Sequence, residues 1–191
     1  MGDAVRWIGG SPCSGKSTVA AMIAAARGVA VYSCDAAFDR HTRTGGPTMR
    51  KVATLAIGER LAQPIETQAD DVVALYREEF PQILQDLADR PDTPVVEGAA
   101  LLPELLAARR VPPEEAVWIV PSDEFQRAHY RQREWAWPLL AGLDDPEAAF
   151  DRWMRRDIRF AELVTEQAHD HGYRVIVTDG STPAAGLAAS L

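Results

Sequence analysis

Gly10-Ser11-Pro12-Cys13-Ser14-Gly15-Lys16-Ser17 is the stretch of sequence that decides the fold. It fits the pattern G-x-x-x-x-G-K-[ST] at every defined position, and it lies between a short apolar segment and an alanine-rich one. Glycines let the backbone wrap closely around an anion, and the N–H groups of such a loop and of the following helix supply partial positive charge. The stretch therefore predicts a phosphate-binding loop between a strand and a helix.

Two side chains of this loop have predicted roles in binding a nucleoside triphosphate. Lys16 is expected to reach the β- and γ-phosphates, and Ser17 to offer its hydroxyl to Mg²⁺. The chain has only one other lysine, Lys51, which makes the position of Lys16 more informative. A chance glycine-rich turn is the alternative, and the flanking segments disfavour it. The loop residues predicted to bind nucleotide are Gly10, Ser11, Pro12, Cys13, Ser14, Gly15, Lys16, Ser17 and Thr18.

Apolar segments alternate with longer amphipathic ones along the chain, which is the pattern of a parallel sheet covered by helices. We therefore expect a three-layer α/β fold with a five-stranded parallel sheet. Strands are predicted near 5–9, 29–33, 94–97, 116–120 and 173–177, and helices near 16–27, 48–61, 68–88, 122–135 and 146–171. A polar loop is predicted over 40–47, and a break over 138–145.

The whole chain, 1–191, is interpreted as a single domain with two additions to its core. The interval 36–94 is too long for a simple crossover between strands and is interpreted as a helical substrate-binding insertion. The region 127–156, which flanks the predicted break, is interpreted as a lid.

Composition and net charge indicate which partners and which location to expect for this protein. The 191 residues are 47% hydrophobic and carry a formal net charge of −8, with no basic run that could follow a phosphate backbone, so we expect no nucleic-acid partner. No segment approaches the length that spans a bilayer, so no membrane partner is expected. Two cysteines without a secretory signal favour a reduced, cytoplasmic protein.

The absence of asparagine argues against one class of nucleotide-binding protein, the GTPases. GTPases normally read guanine with an N/T-K-x-D motif, which this chain cannot supply in the usual place. Motor ATPases need longer chains and further signature segments. The small kinases remain.

The chain resembles nucleotide kinases and related small-molecule kinases with an adenylate-kinase-like core. The stretch 177–183 looks like the adenine-contacting loop of that family, so the resemblance implies ATP as the donor, with Gly180, Ser181 and Thr182 at the base. Arg127 and Arg131 have the spacing of the arginines at the base of the family's lid. The stretch 144–147 resembles the segment in which the lid returns to the core.

The resemblance fails where a nucleoside monophosphate binds in adenylate kinases. Neither T-G-D-x-x-R nor D-G-[FY]-P-R is present, and the stretches 33–40 and 96–103 stand in their places. An acidic residue just after the second strand is more similar to kinases that act on alcohols, such as gluconate kinase and chloramphenicol phosphotransferase. The expected activity is transfer of the γ-phosphoryl group of ATP, with Mg²⁺, to a hydroxyl of a small metabolite, nucleoside or antibiotic. The alternatives are a kinase for an unusual nucleoside monophosphate and a non-enzymatic ATP-binding sensor.

Three acidic residues are candidates for the chemistry of transfer. Asp35, at the carboxyl end of the second strand, is predicted to position the acceptor hydroxyl and take its proton, or alternatively to cap the next helix. Asp39 and Arg40 lie one turn further and either face the acceptor or form a surface pair. Glu97 is predicted to hold a Mg²⁺-bound water, to contact the acceptor, or to be a buried structural carboxylate.

Arginines around the predicted break are candidates for neutralising the transferred phosphoryl group. Several of the seven at 127, 131, 133, 152, 155, 156 and 159 must face solvent. Trp135, Trp137 and Trp153 either stack on an acceptor ring or pack at the base of the lid. The predicted catalytic residues are Lys16, Asp35, Arg127 and Arg131; the predicted acceptor-binding residues are Asp35, Asp39, Arg40, Glu97, Arg152 and Arg156; the predicted metal ligands are Ser17 and Glu97.

Overall fold

The structure is a computed structural model that describes residues 5–191. Its strands are β1 (Trp7–Gly9), β2 (Val31–Ser33), β3 (Val95–Glu97), β4 (Ala116–Pro121) and β5 (Arg174–Thr178). Its helices are α1 (Lys16–Arg27), α2 (Cys34–Thr42), α3 (Pro47–Thr54), α4 (Ile57–Ala62), α5 (Ile65–Ala88), α6 (Pro103–Ala108), α7 (Asp123–Arg131), α8 (Ala136–Leu140), α9 (Pro146–Asp170) and α10 (Ala184–Ala189). A 3₁₀ turn at Pro113–Glu115 precedes β4.

The five strands form one parallel sheet in the order β2-β3-β1-β4-β5. This confirms the predicted α/β fold with five parallel strands. Because all strands run in one direction, the residues that follow them meet at one edge of the sheet. The loop of residues 10–17 follows β1, the middle strand, so it lies at the centre of that edge.

Helices cover both faces of the sheet. Alternate residues of β4 serve the two faces: Trp118 packs under α5, α6 and α9, whereas Val117 and Ile119 pack under α1 and α10. All six residues of β4 are buried, as expected for a strand with both faces covered. The result is three layers, helices on either side of a central sheet.

Several predicted boundaries are wrong. The predicted loop over 40–47 is in part helical, since α2 continues to Thr42. The predicted helix over 48–61 is two helices, α3 and α4, because the backbone is extended at Leu55 and Ala56. The predicted break over 138–145 is occupied in part by α8, in which Pro138 lies in the first turn, where its missing N–H costs no hydrogen bond.

The chain between β2 and β3 adds α2 to α5 to one side of the sheet. Its longest helix, α5, runs for 24 residues and packs against α9. Within the part of the chain that the structure describes, neither these helices nor any other is long and apolar enough to cross a membrane.

The turn that follows β1 depends on a glycine. Gly10 has a φ of +125°, and a Cβ at this position would lie 1.9 Å from the backbone oxygen of Ile119 in β4. Gly28, at the carboxyl end of α1, also has a positive φ (+67°), but a Cβ there would meet nothing within 4 Å. A side chain at position 28 is therefore disfavoured only by backbone conformation, whereas one at position 10 also forces β1 away from β4.

We expect Gly28→Ala to lower the free energy of unfolding by about 1 kcal/mol, the usual cost of a left-handed residue with a side chain. Gly10→Ala should lower it substantially more, because the backbone contact with β4 must also open. Urea denaturation of both variants measures the difference. Equal losses would show that the contact between Gly10 and Ile119 does not constrain the loop.

Candidate functional site

The loop after β1 forms an open cradle of backbone. Gly10, Cys13 and Gly15 all have positive φ values, which turns the chain tightly before α1 begins. Gly15 is the N-cap of α1 and provides no side-chain cap, and the first turn of α1 has no acidic residue. The N–H groups at this end of α1 are therefore not bonded to a capping side chain, as an anion site requires.

Lys16 lies folded into this cradle. Its side chain is buried, and its Nζ donates to the backbone oxygen of Ser11 at 2.7 Å and to Oγ of Ser14 at 3.4 Å. Burial lowers the pKa of Lys16, while the negative charges of Asp35 and Glu97 oppose that effect. The amine therefore lies in the electrostatic range of both predicted carboxylates.

A hydrogen bond joins the start of α1 to the end of β3. Oγ of Ser17 donates to Oε2 of Glu97 at 3.1 Å, and Glu97 is only 2% exposed. The register of the sheet holds Glu97 between Ile8 of β1 and Ser33 of β2. A hydroxyl and a carboxylate are both ligands that suit Mg²⁺, which usually binds one or two protein groups together with phosphate oxygens. Among residues 5–191 no cluster of three or more His, Cys, Asp or Glu residues could hold a metal by itself.

Asp35 lies in the first turn of α2, at the same edge of the sheet. The N-cap of α2 is Ser33, so Asp35 does not occupy the capping position. Its side chain is exposed, and no hydrogen bond joins it to any residue from 5 to 191. Asp35 is thus a carboxylate open to a ligand, and it interacts electrostatically with both Lys16 and Tyr76.

Arg40 points away from the cradle. Its guanidinium forms two hydrogen bonds with Asp86 of α5, at 2.7 and 2.6 Å. The pair is exposed at Arg40, whose side chain is 59% accessible. Arg40 therefore forms a surface pair, but with Asp86 and not with Asp39, and its predicted contact with the acceptor stays a prediction. Asp39 is exposed as well, and its side chain makes no hydrogen bond within residues 5–191.

The packing of α2 on α5 is centred on His41. Its ring is 1% exposed, with Nδ1 2.9 Å from Oε1 of Glu79 and Nε2 2.9 Å from Oδ2 of Asp86. A neutral imidazole donates one hydrogen bond, whereas an imidazolium donates two. Tyr32 of β2 also donates to Asp86, at 2.5 Å. This network fixes the helix that carries Asp35.

The two predicted lid arginines bind carboxylates of α9. Arg127 donates to Asp151 at 2.8 Å, and Arg131 donates to Glu147 at 2.9 Å. Both pairs are substantially exposed. Neither guanidinium contacts the cradle in this conformation. Arg152 is exposed and has no hydrogen-bond partner among residues 5–191.

Arg156 of α9, by contrast, is 12% exposed and lines a cavity together with residues of the insertion. It donates to Oδ1 of Asp157 at 2.8 and 2.5 Å, and Oδ2 of Asp157 accepts from Tyr130 at 2.9 Å. Its charge reaches Tyr76 of α5 and Arg60 of α4. Sequence reasoning proposed Arg156 but missed these neighbours, since only the packing of α4 and α5 on α9 brings them together.

The tryptophans pack around the predicted lid. Trp137 stacks on Phe150 with ring centroids 5.0 Å apart, and Trp153 contacts the ring of Tyr130 at 5.4 Å. Cys13 of the loop packs against the same group. Burial raises the pKa of the Cys13 thiol, although the nearby Arg133 opposes this. These contacts favour the packing interpretation of the tryptophans.

The predicted base-contacting residues follow β5 at the same edge of the sheet. Gly180, Ser181 and Thr182 are exposed, and the backbone N–H of Ser181 donates to Oδ1 of Asp179 at 2.9 Å. Gly180 has a φ of +86° and lies against the ring of Phe125, where a Cβ would come within 2.6 Å of a ring carbon. The segment is therefore a tight turn beside α7.

His41→Ala is expected to lower the free energy of unfolding by about 3 kcal/mol, because it leaves the buried carboxylate of Glu79 without a partner. Arg40→Ala, which breaks an exposed ion pair on the same helix, should cost at most about 1 kcal/mol. Urea denaturation at neutral pH compares them. A cost at Arg40 equal to that at His41 would contradict this account of how α2 is held.

The ionisation of Asp86 makes the free energy of unfolding depend on pH. Its bonds to Arg40, Tyr32 and His41 hold its pKa well below the ordinary value of 3.8. The unfolded chain then takes up this proton more readily than the folded one, so the contribution is complete above that ordinary value and is lost as the pH falls. Asp86→Asn should be less stable at neutral pH, and the gap should narrow on acidification. Urea midpoints at several pH values measure that gap, and a constant gap would contradict the assignment.

Comparison with known proteins adds little. No protein-family model matches the chain, and no curated protein does. One solved structure, from Chloroflexus aurantiacus and described as a "putative kinase", is similar over 100% of this chain and 97% of its own, with 14% identity and a TM-score of 0.45. The assignment of a function therefore depends on the residues of this chain.

Proposed function

We propose that this chain is a phosphotransferase that uses ATP and Mg²⁺ to phosphorylate a hydroxyl group of a small molecule. The observation that carries the proposal is the convergence of three elements on one edge of the sheet. They are the backbone cradle with Lys16, the bonded pair of Ser17 and Glu97, and the open carboxylate of Asp35.

The cradle fits a nucleoside triphosphate. The space beside the Cα of Gly15 is empty to 4 Å, and the hydroxyl oxygen of Ser11 is buried with no partner among residues 5–191. The N-terminus of α1 adds partial positive charge. Bound there with its Mg²⁺, ATP would supply the electrophilic phosphoryl group and its leaving group.

Residues of the cradle would bind and orient the phosphates. Lys16 would exchange its contacts with Ser11 and Ser14 for phosphate oxygens, which would give its buried ammonium group a counterion. Ser17 and Glu97 would face the metal, the hydroxyl directly and the carboxylate directly or through a water molecule. Their hydrogen bond holds these two groups next to each other.

Asp35 is proposed to orient the acceptor. Its carboxylate would accept a hydrogen bond from the acceptor hydroxyl and would take its proton as that oxygen bonds to the γ-phosphorus and the bond to the bridging oxygen of ADP breaks. Lys16 lies within electrostatic range of Asp35.

Arg127, Arg131 and Arg152 are proposed to act only after the lid region closes. The exposed pairs of Arg127 and Arg131 contribute about 0–1 kcal/mol each, so their exchange for phosphate oxygens costs little. Arg152 has no partner to exchange. Gly180 to Thr182, beside Phe125, are proposed to line the base.

Release of ADP from ATP–Mg²⁺ in the presence of pooled nucleosides, nucleotides, sugars, sugar acids and aminoglycosides tests the proposal. Asp35→Asn should lower the acceptor-stimulated rate by about 10²- to 10⁴-fold, the usual contribution of a proton acceptor. It should leave ATP binding intact. Lys16→Ala should weaken ATP binding and abolish stimulation.

Asp170→Asn is the matched control for Asp35→Asn. Asp170 is an exposed aspartate at the end of α9, near the opposite edge of the sheet, and its loss should not change the rate. Stimulation that survives unchanged in Asp35→Asn would assign the proton to another group. Tight ATP binding without stimulation by any pool would favour the sensor.

A further inference from the structure

A cavity between the insertion and α9 contains an unusual group of polar side chains. Arg60 of α4, Gln68 and Asp71 of α5, and Arg156 of α9 all line it, together with the apolar Val72. Its walls are formed by α4, α5 and α9, and it is separate from the cradle of residues 10–17.

Three cations, Arg60, Arg156 and Lys51, face only two carboxylates, Asp71 and Asp157, in and beside this cavity. Asp71 is paired with Lys51 at 2.6 Å, and Arg156 is paired with Asp157. The guanidinium of Arg60 forms no hydrogen bond or ion pair with any residue from 5 to 191. Burial lowers the pKa of Arg60 and the charge of Arg156 lowers it further, although Asp157 and Asp71 oppose the fall. A partly buried arginine beside another arginine is costly unless an anion binds there.

Gln68 supplies a second unsatisfied group. Its Nε2 donates to the backbone oxygens of Gln63 at 2.8 Å and Leu61 at 3.3 Å, which fixes the orientation of the amide. Its Oε1 is buried and has no donor among the described residues. Such a carbonyl is normally satisfied, and a ligand hydroxyl at the cavity wall would satisfy it.

The cavity lies on the same side of α5 as the proposed reaction centre. Gln68, Val72 and Tyr76 follow one another at four-residue spacing along one face of α5, over about 12 Å. Burial and the charge of Asp35 raise the pKa of Tyr76, whereas Arg156 opposes the rise. Tyr76 is therefore within electrostatic range both of Asp35 and of the arginines of the cavity.

We propose that the phosphoryl acceptor is an anionic polyol, whose carboxylate or phosphate group is bound by Arg60 and Arg156. In this arrangement Gln68 accepts a hydrogen bond from one of its hydroxyls, and another hydroxyl reaches Asp35 along the face of α5. The anion site is argued from the cavity alone, while its identification as part of the acceptor site rests on the proposed function. A neutral alcohol would leave Arg60 without a counterion.

Binding of inorganic phosphate tests the anion site without any turnover. Calorimetric titration is carried out on protein saturated with ADP–Mg²⁺, so that the cradle is occupied. Arg60→Gln should weaken phosphate binding at least tenfold, Arg60→Lys should retain part of it, and Arg43→Gln should leave it unchanged. Arg43 is an exposed arginine after α2 with no partner among residues 5–191, which makes its variant a matched loss of charge.

Stability provides a control for misfolding. Because Arg60→Gln removes an uncompensated charge, its urea midpoint without ligand should be equal to or above that of the parent protein. A folded Arg60→Gln variant that binds phosphate as tightly as the parent would overturn the proposal, and so would a parent protein that binds no phosphate.

Matched acceptors then distinguish the two kinds of anion. D-gluconate is compared with sorbitol, and glucose 6-phosphate with glucose, in the ADP-release assay. The proposal is supported if the parent protein prefers the anionic compound of a pair and if Arg60→Gln loses this preference mainly through a rise in KM. The pair in which the preference is seen identifies the anion as a carboxylate or a phosphate. Preference for the neutral members would overturn the proposal. Failure of ADP to bind would instead reject the proposed function. In that case, phosphate binding to the free protein that is lost in Arg60→Gln but not in Lys16→Ala would still support the anion site.

Discussion

The buried carboxylate of Glu97 is the group around which the candidate site is organised. It ends the strand between β1 and β2, so the sheet itself determines its position. Through its hydrogen bond with Ser17 it holds the first turn of α1, and its charge acts on Lys16. A carboxylate this deeply buried needs such partners, because burial strongly disfavours an unpaired charge. The loop, α1 and β3 are thereby kept in one arrangement.

Around this fixed centre, the residues proposed to meet the acceptor are held less firmly. Asp35 is open to solvent, and its position is determined at a distance by the contacts of His41 with Glu79 and Asp86. Arg127 and Arg131 make only exposed pairs with α9. Phosphate binding would thus use a rigid part of the protein, whereas acceptor binding and closure would use parts whose contacts exchange at low cost.

The sequence predicted the features that depend on local pattern. The five strands were recognisable because each is short, apolar and followed by turn or capping residues, and the loop of residues 10–17 follows the first of them. The division between α3 and α4 was not predictable in this way, since 48–61 has no glycine or proline at the point where the backbone becomes extended, at Leu55 and Ala56. The two remaining short helices, α6 and α10, have too few residues to show a helical period.

Long-range pairing explains what sequence reasoning missed in the site. Arg60 and Arg156 are almost a hundred positions apart, and nothing in either local sequence indicates the other. The same is true of His41 and its two carboxylates on α5. The line of Gln68, Val72 and Tyr76 was visible as a four-residue spacing, but its importance appears only when α9 packs beside it. Spacing predicts a shared face of a helix, and tertiary packing decides what that face meets.

Because Cys13 packs against aromatic residues, a movement of the loop would affect tryptophan fluorescence. Trp137 and Trp153 belong to the same cluster as Cys13, and Trp135 contacts Trp153. Trp7 and Trp118 lie instead in the core beneath α5 and α9. Trp135 is about half exposed, while Trp153 is almost fully buried. A shift of the loop or of α8 would therefore change the polarity around a specific subset of the five tryptophans. The protein contains its own fluorescent reporter of the cradle.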